Sequence, residues 1–133
     1  MTEQDLEMKI TPLGQQRIAQ VEPVADMLTV LVEIPPHHPG NPPHRHPGAV
    51  YGYLIEGQML FEMEGEAPRI INAGDAFAEP GGDRIHYQDS NSGEDWLRFV
   101  VMMTVPQGAE LLAFVGPEEL EQRKELRHST AES

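Results

Sequence analysis

The stretch from residue 35 to residue 48 reads PPHHPGNPPHRHPG and contains six prolines and two glycines. Proline lacks a backbone N–H and clashes with the preceding helical turn, so no helix can cross this stretch. The whole chain has 12 Gly and 12 Pro among 133 residues. That content argues against a helical bundle and is typical of short strands joined by turns.

Strand signals lie on both sides of the proline-rich stretch. The run MLTVLVEI, residues 27–34, is β-branched and apolar and predicts a strand. Glu56-Gly57 separates two apolar runs and predicts a hairpin turn. Regular spacing of such segments predicts a small antiparallel β-sandwich or barrel. The other predicted strands are 69–71, 75–79, 85–88, 96–105 and an edge strand at 16–21.

The last part of the chain predicts a short helix over 117–128. Pro117 suits the first helical position, and Glu118 and Glu119 favour the positive end of the helix dipole. A chain of this length suits one domain. We therefore predict an N-terminal arm (1–26), a barrel domain (27–116), and a C-terminal helix and tail (117–133).

The chain is strongly acidic, with 9 Lys and Arg against 22 Asp and Glu and a formal charge of −13. This charge disfavours binding to nucleic acid or to an anionic membrane surface. No apolar run approaches the length of a membrane span, and residues 1–10 lack the apolar core of a signal peptide. Cysteine is absent, which excludes disulfides and fits a cytoplasmic location.

Three histidines form the candidate site. His44 and His46 are two residues apart, so on an extended segment both imidazoles point to the same face. His86 follows the turn Pro80-Gly81-Gly82 at the start of another predicted strand. Because a barrel brings distant strands face to face, we expect His44, His46 and His86 to meet at one divalent metal ion.

These residues resemble the two sequence motifs of the cupin superfamily of small jelly-roll barrels. The first motif matches His44, His46 and Gly57, and the second matches the series from Gly74 through Pro80 and Gly82 to His86. The resemblance implies an all-β fold, a jelly-roll or double-stranded β-helix cupin barrel, with the short helix outside it. It also implies a metal-dependent enzyme that acts on a small organic molecule.

The first motif departs from the family pattern at one position. Where the family has a metal-binding Glu, this chain has Val50 or Tyr51. We therefore expect three neutral imidazoles, the full +2 charge on the metal, and open positions for an anionic bidentate ligand. Imidazole ligands suit Fe, Ni, Mn or Zn, and the sequence does not select among them.

The resemblance favours a dioxygenase-like oxidoreductase, in which a metal ion binds the substrate beside O2. Tyr51 and Arg98 are the residues expected to orient the substrate; packing of Tyr51 in the barrel wall and pairing of Arg98 with an acid are the alternatives. Two other functions stay open: a non-catalytic small-molecule or metal-binding cupin, and a metal-free isomerase, epimerase or cyclase with His86 as general base. Small cupins commonly pair through edge strands, so we also expect a homodimer.

Overall fold

The computed structural model describes residues 8–15 and 25–128. Most of the strands are short, and turn residues separate them along the chain. In the described residues they are β1 (Ala25–Ile34), β2 (His44–Arg45), β3 (Val50–Glu56), β4 (Gln58–Met63), β5 (Arg69–Asn72), β6 (Ala76–Glu79), β7 (His86–Ser90), β8 (Leu97–Pro106) and β9 (Ala113–Phe114).

The strands form two antiparallel sheets. The first sheet has the order β1-β8-β3-β6, and the second has the order β5-β4-β7-β2-β9. The long strands β1 and β8 pair over their full length, from Ala25 opposite Pro106 to Ile34 opposite Leu97. Crossovers between the sheets bring residues that are distant in sequence to facing positions, as expected for a jelly roll.

The core lies between the sheets and follows the two-residue period of the strands. In β8 every second residue from Leu97 to Val105 is buried, and the residues between them are more exposed. Rings pack at the centre, where the centroid of Phe77 lies 5.6 Å from that of Phe61 and 5.6 Å from that of Phe99. Gly52 makes room for this arrangement, because a Cβ there would lie 2.1 Å from the Phe77 ring.

The predicted hairpin turn is confirmed. Strand β3 ends at Glu56 and β4 begins at Gln58. Gly57 between them has φ +86, a left-handed conformation that favours glycine. The strands predicted from residues 27–34 and 96–105 correspond to β1 and β8, whereas the edge strand predicted at 16–21 lies outside the described residues.

The C-terminal helix is shorter than predicted. The α-helix α1 spans Pro117–Gln122, and a 3₁₀ turn, Lys124–Leu126, follows it. Arg123, between the two, bonds to the carboxylate of Glu64, which directly follows β4 of the second sheet. The chain therefore leaves the α-helical path where its arginine contacts the sheet. No helix in the described segments is long and apolar enough to cross a membrane.

Candidate metal centre

The proline-rich stretch delivers two histidines into the space between the sheets. His44 lies in β2 and is 1% exposed, and His46 is 9% exposed. Their ring centroids are 4.8 Å apart. Arg45 points the other way, where it bonds to the Glu119 carboxylate on α1. The prediction that the outer two residues share one face is confirmed.

His86 comes from the neighbouring strand. Strand β7 pairs with β2 so that His86 lies opposite His44, and the two ring centroids are 4.9 Å apart. His86 is also buried. The structure therefore brings together the three histidines that the motifs predicted.

A fourth residue, Glu79, completes the cluster. Its Oε1 lies 2.7 Å from Nδ1 of His86 and 3.6 Å from Nε2 of His46. One ligand atom from each of His44, His46, Glu79 and His86, a ring nitrogen or a carboxylate oxygen, lies within 4.8 Å of the other three. The structure thus places beside the three imidazoles a carboxylate that the motifs did not predict.

The position of Glu79 explains how the carboxylate is supplied. In the pairing of β3 with β6, Glu79 lies directly opposite Val50, one of the two positions where the motif would have its Glu. The carboxylate thus comes from the adjacent strand. A sequence signal existed: Glu79 is two residues after Phe77, so both side chains face the core.

Backbone carbonyls orient two of the imidazoles. Nδ1 of His44 lies 2.8 Å from the carbonyl oxygen of Pro42, and Nδ1 of His46 lies 2.9 Å from that of Leu111. A carbonyl can only accept, so each Nδ1 carries the hydrogen and donates it. In the neutral form of each ring, Nε2 then has no hydrogen and can act as a metal ligand, the arrangement common in protein metal sites.

Unpartnered buried atoms show that these residues fit a metal ion. Oε1 of Glu79 and both ring nitrogens of His86 are buried without a hydrogen-bond partner. The 2.7 Å contact between Glu79 and His86 therefore lacks hydrogen-bond geometry. Buried polar atoms are rarely left unpaired, and a shared ion would satisfy them. Three imidazoles and one carboxylate suit Fe, Ni, Mn or Zn.

The pKa of each of His44, Glu79 and His86 depends on burial and on the charges of its neighbours in the cluster. Burial lowers the pKa of His44 and so favours its neutral form. Burial also opposes a charge on His86, but Glu79, Asp89 and the backbone of Gln88 together outweigh burial, so the pKa of His86 lies above its usual range. Burial would raise the pKa of Glu79, yet His86 and the other histidines hold this pKa below its usual range. A proton on His86 must therefore leave when a metal ion binds.

A cavity of about 110 Å³ adjoins the cluster. Asp89 also lines it, although Asp89 is three residues from His86 on the same strand. The register between β4 and β7 shifts at this point, and the resulting bulge turns both side chains inward. The apolar part of the wall includes Val30, Val32, Phe99, Val101, Met103 and Leu111.

Tyr51 and Arg98 are not among the residues that line this cavity. The two-residue period turns Tyr51 to the outer face of β3, where it lines a separate groove with Arg69 and Arg84. The Arg98 guanidinium bonds to the carboxylates of Glu33 and Glu56 on neighbouring strands. The structure thus does not bring either residue to the histidines.

Comparisons with known proteins agree with this architecture. The profile of a family described as "Cupin domain" matches residues 30–103. No curated protein matches the chain. Among solved structures, an oxalate oxidase in complex with the substrate analogue glycolate is 28% identical, with a TM-score of 0.55. The match covers 67% of this chain and 46% of that one, so the chain spans less than half of the oxidase.

Two structures of more similar length share the fold. One is an RmlC-like cupin with a double-stranded β-helix from Methanocaldococcus jannaschii, 18% identical, with a TM-score of 0.54 over 74% of this chain and 87% of that one. The other is a conserved protein with a double-stranded β-helix domain from Klebsiella pneumoniae, 18% identical, with a TM-score of 0.51 over 87% and 96%. The predicted fold is confirmed, and the chain belongs to the cupin superfamily.

Proposed function

We propose that this chain is a metal-dependent cupin enzyme that acts on a small organic molecule. The observation that carries the proposal is the convergence of three imidazoles and the Glu79 carboxylate, with buried atoms that have no hydrogen-bond partner. Nε2 of His44 and of His46, a ring nitrogen of His86 and Oε1 of Glu79 would hold a divalent ion.

The reaction that this site supports best is an oxidation of the dioxygenase type. A bound redox-active ion supplies Lewis acidity and one-electron chemistry. Glu79 offsets one of the two positive charges, and the apolar wall excludes water from the reacting groups. An oxalate oxidase among the similar structures, at 28% identity, is consistent with oxidative chemistry.

Metal content tests the first part of the proposal. We expect protein purified without a His tag to contain a stoichiometric divalent metal by elemental analysis. His86→Ala should abolish this metal, and Glu79→Gln should lower the affinity at least about tenfold, since each removes a ligand. His37→Ala is the matched control, because His37 is exposed and pairs with Glu94. Metal-free wild-type protein that takes up no ion would contradict the proposal.

Oxygen uptake tests the second part. Protein loaded anaerobically with Fe(II) is mixed with candidate small dicarbonyl compounds, such as methylglyoxal and butane-2,3-dione, and O2 consumption is followed. We expect at least one substrate to give uptake that His86→Ala does not support. If the wild-type protein binds Fe(II) but consumes O2 no faster than the His86→Ala variant, the oxidative function is contradicted and a non-catalytic binding protein is favoured.

A further inference from the structure

No arginine or lysine of the described residues lines the cavity beside the cluster. Its lining, within the described residues, is apolar apart from the cluster, Asn41 and Asp89. A ligand that enters it therefore meets no arginine or lysine that could pair with a carboxylate. The metal centre itself would be the one positive group available to an anion.

Asp89 adds a second negative charge to that of Glu79. It is 5% exposed. Its two oxygens accept hydrogen bonds from the backbone N–H and the side-chain amide of Asn41, at 2.8 and 3.1 Å. Both donors are neutral, and no arginine or lysine of the described cavity lining pairs with this carboxylate. With Glu79 and Asp89 together, a divalent ion is already neutralised, and each further negative charge must be buried without compensation.

The size of the cavity limits the ligand. A protein cavity of about 150 Å³ holds a benzene molecule, and the space here is about 110 Å³. A ligand enclosed here therefore has about six non-hydrogen atoms or fewer. The apolar wall favours carbon atoms on the side of the ligand that faces away from the cluster.

From the apolar wall, the two carboxylates and the small volume of the cavity, we propose that it binds a small chelating ligand with at most one negative charge and an apolar body. Dianions such as oxalate should bind less favourably. The proposal rests on the metal centre of the proposed function. It separates this chain from oxalate chemistry, although an oxalate oxidase is among its structural relatives.

The test uses the full chain loaded with Co²⁺, whose visible absorption reports its coordination. Formo-, aceto- and propionohydroxamate are titrated against it, since all three chelate through two oxygens with one negative charge. Oxalate, which has as many non-hydrogen atoms as propionohydroxamate, is the dianionic comparison. The same titrations with aqueous Co²⁺ give the intrinsic preference of the ion.

We expect the affinity to rise about fourfold with each methylene along the hydroxamate series. The preference for oxalate over propionohydroxamate should be at least about tenfold lower in the protein than for aqueous Co²⁺. Val30→Thr, which keeps the shape of a partly buried wall residue and adds a hydroxyl, should flatten the rise. Asp89→Asn should raise the affinity for oxalate more than that for the hydroxamates, whereas Asp95→Asn, at an exposed position, should change neither.

The test distinguishes failure of this inference from failure of the proposed function. If Co²⁺ binds but the oxalate preference equals or exceeds that of the aqueous ion, or the hydroxamate series shows no rise, this inference is overturned and the metal centre stands. If the wild-type chain takes up no Co²⁺, the proposed function is overturned and this inference falls with it.

Discussion

Tyr87 is a buried phenol with an unusual environment. Its side chain is 5% exposed, and its hydroxyl is buried without a hydrogen-bond partner. The Arg127 guanidinium lies 4.5 Å from the centroid of its ring. Burial raises the pKa of Tyr87 above the usual value of a phenol. The unfolded chain therefore loses this proton at a lower pH than the folded chain does.

We expect this difference to appear as a loss of stability in alkaline solution. Between the unfolded pKa, about 10, and the higher folded pKa, the folded chain holds one more proton, so the free energy of unfolding falls as pH rises. Tyr87→Phe should remove this contribution and cost little at neutral pH, since the hydroxyl has no partner to lose. Urea unfolding at several pH values compares the two proteins; equal slopes above pH about 10 would contradict the prediction.

The site residues differ in how well the sequence alone predicts them. His44, His46 and His86 carry the family's motif spacing, and all three are found in the cluster. Glu79 is outside the usual position, and only the alternation of its strand indicates it. Asp89 could not be predicted, because it faces the cavity only through a bulge whose position depends on pairing with β4.

At the scale of elements, ion pairs join the C-terminal segment to the second sheet. Glu64 is 6% exposed, and its carboxylate accepts hydrogen bonds from the Arg123 guanidinium, one of them at 2.9 Å. Arg127 bonds in the same way to Glu62, which is fully buried. These contacts connect residues more than fifty positions apart in sequence, so they fasten the end of the chain to its middle.

We expect Arg123→Ala to lower the free energy of unfolding by about 2 kcal/mol, because the Glu64 carboxylate would stay buried without its cationic partner. The double variant Arg123→Ala, Glu64→Gln should recover most of the loss, since the buried charge is then gone. Chemical denaturation of the wild type, both single variants and the double variant completes the cycle. Additive losses would show that the pair is not coupled.

The strands were more predictable than the helix. Apolar runs bounded by Gly and Pro place β1, the hairpin of β3 and β4, and β8, because burial of one face requires this alternation. The end of α1 was predicted too late. The side chain of Arg123 bonds to Glu64, which is distant in the sequence. The spacing of residues 117–128 alone cannot predict that contact.

For the whole molecule, the strand and turn signals predicted an antiparallel sandwich or barrel, and the resemblance of the histidine motifs to the cupin superfamily implied the jelly roll. The charge and volume of the cavity were not predictable, since they depend on which side chains from six or more separate segments meet. The homodimer and the domain boundaries stay predictions. The N-terminal arm includes residues outside the described ranges, and among the described strands β1 lies at the edge of the first sheet.

If the chain forms a homodimer, its charge should oppose association. Each copy carries a formal charge of −13, so we expect the dimer fraction at micromolar concentration to rise as salt screens the repulsion. Light scattering at low and at moderate ionic strength measures the mass. A monomer mass under both conditions would contradict the homodimer.

Leu111 has two roles in the site. Its backbone carbonyl accepts the hydrogen bond from His46, and its side chain forms part of the cavity wall. Because one residue serves both purposes, a displacement of its backbone would disturb the orientation of His46 and the shape of the cavity together.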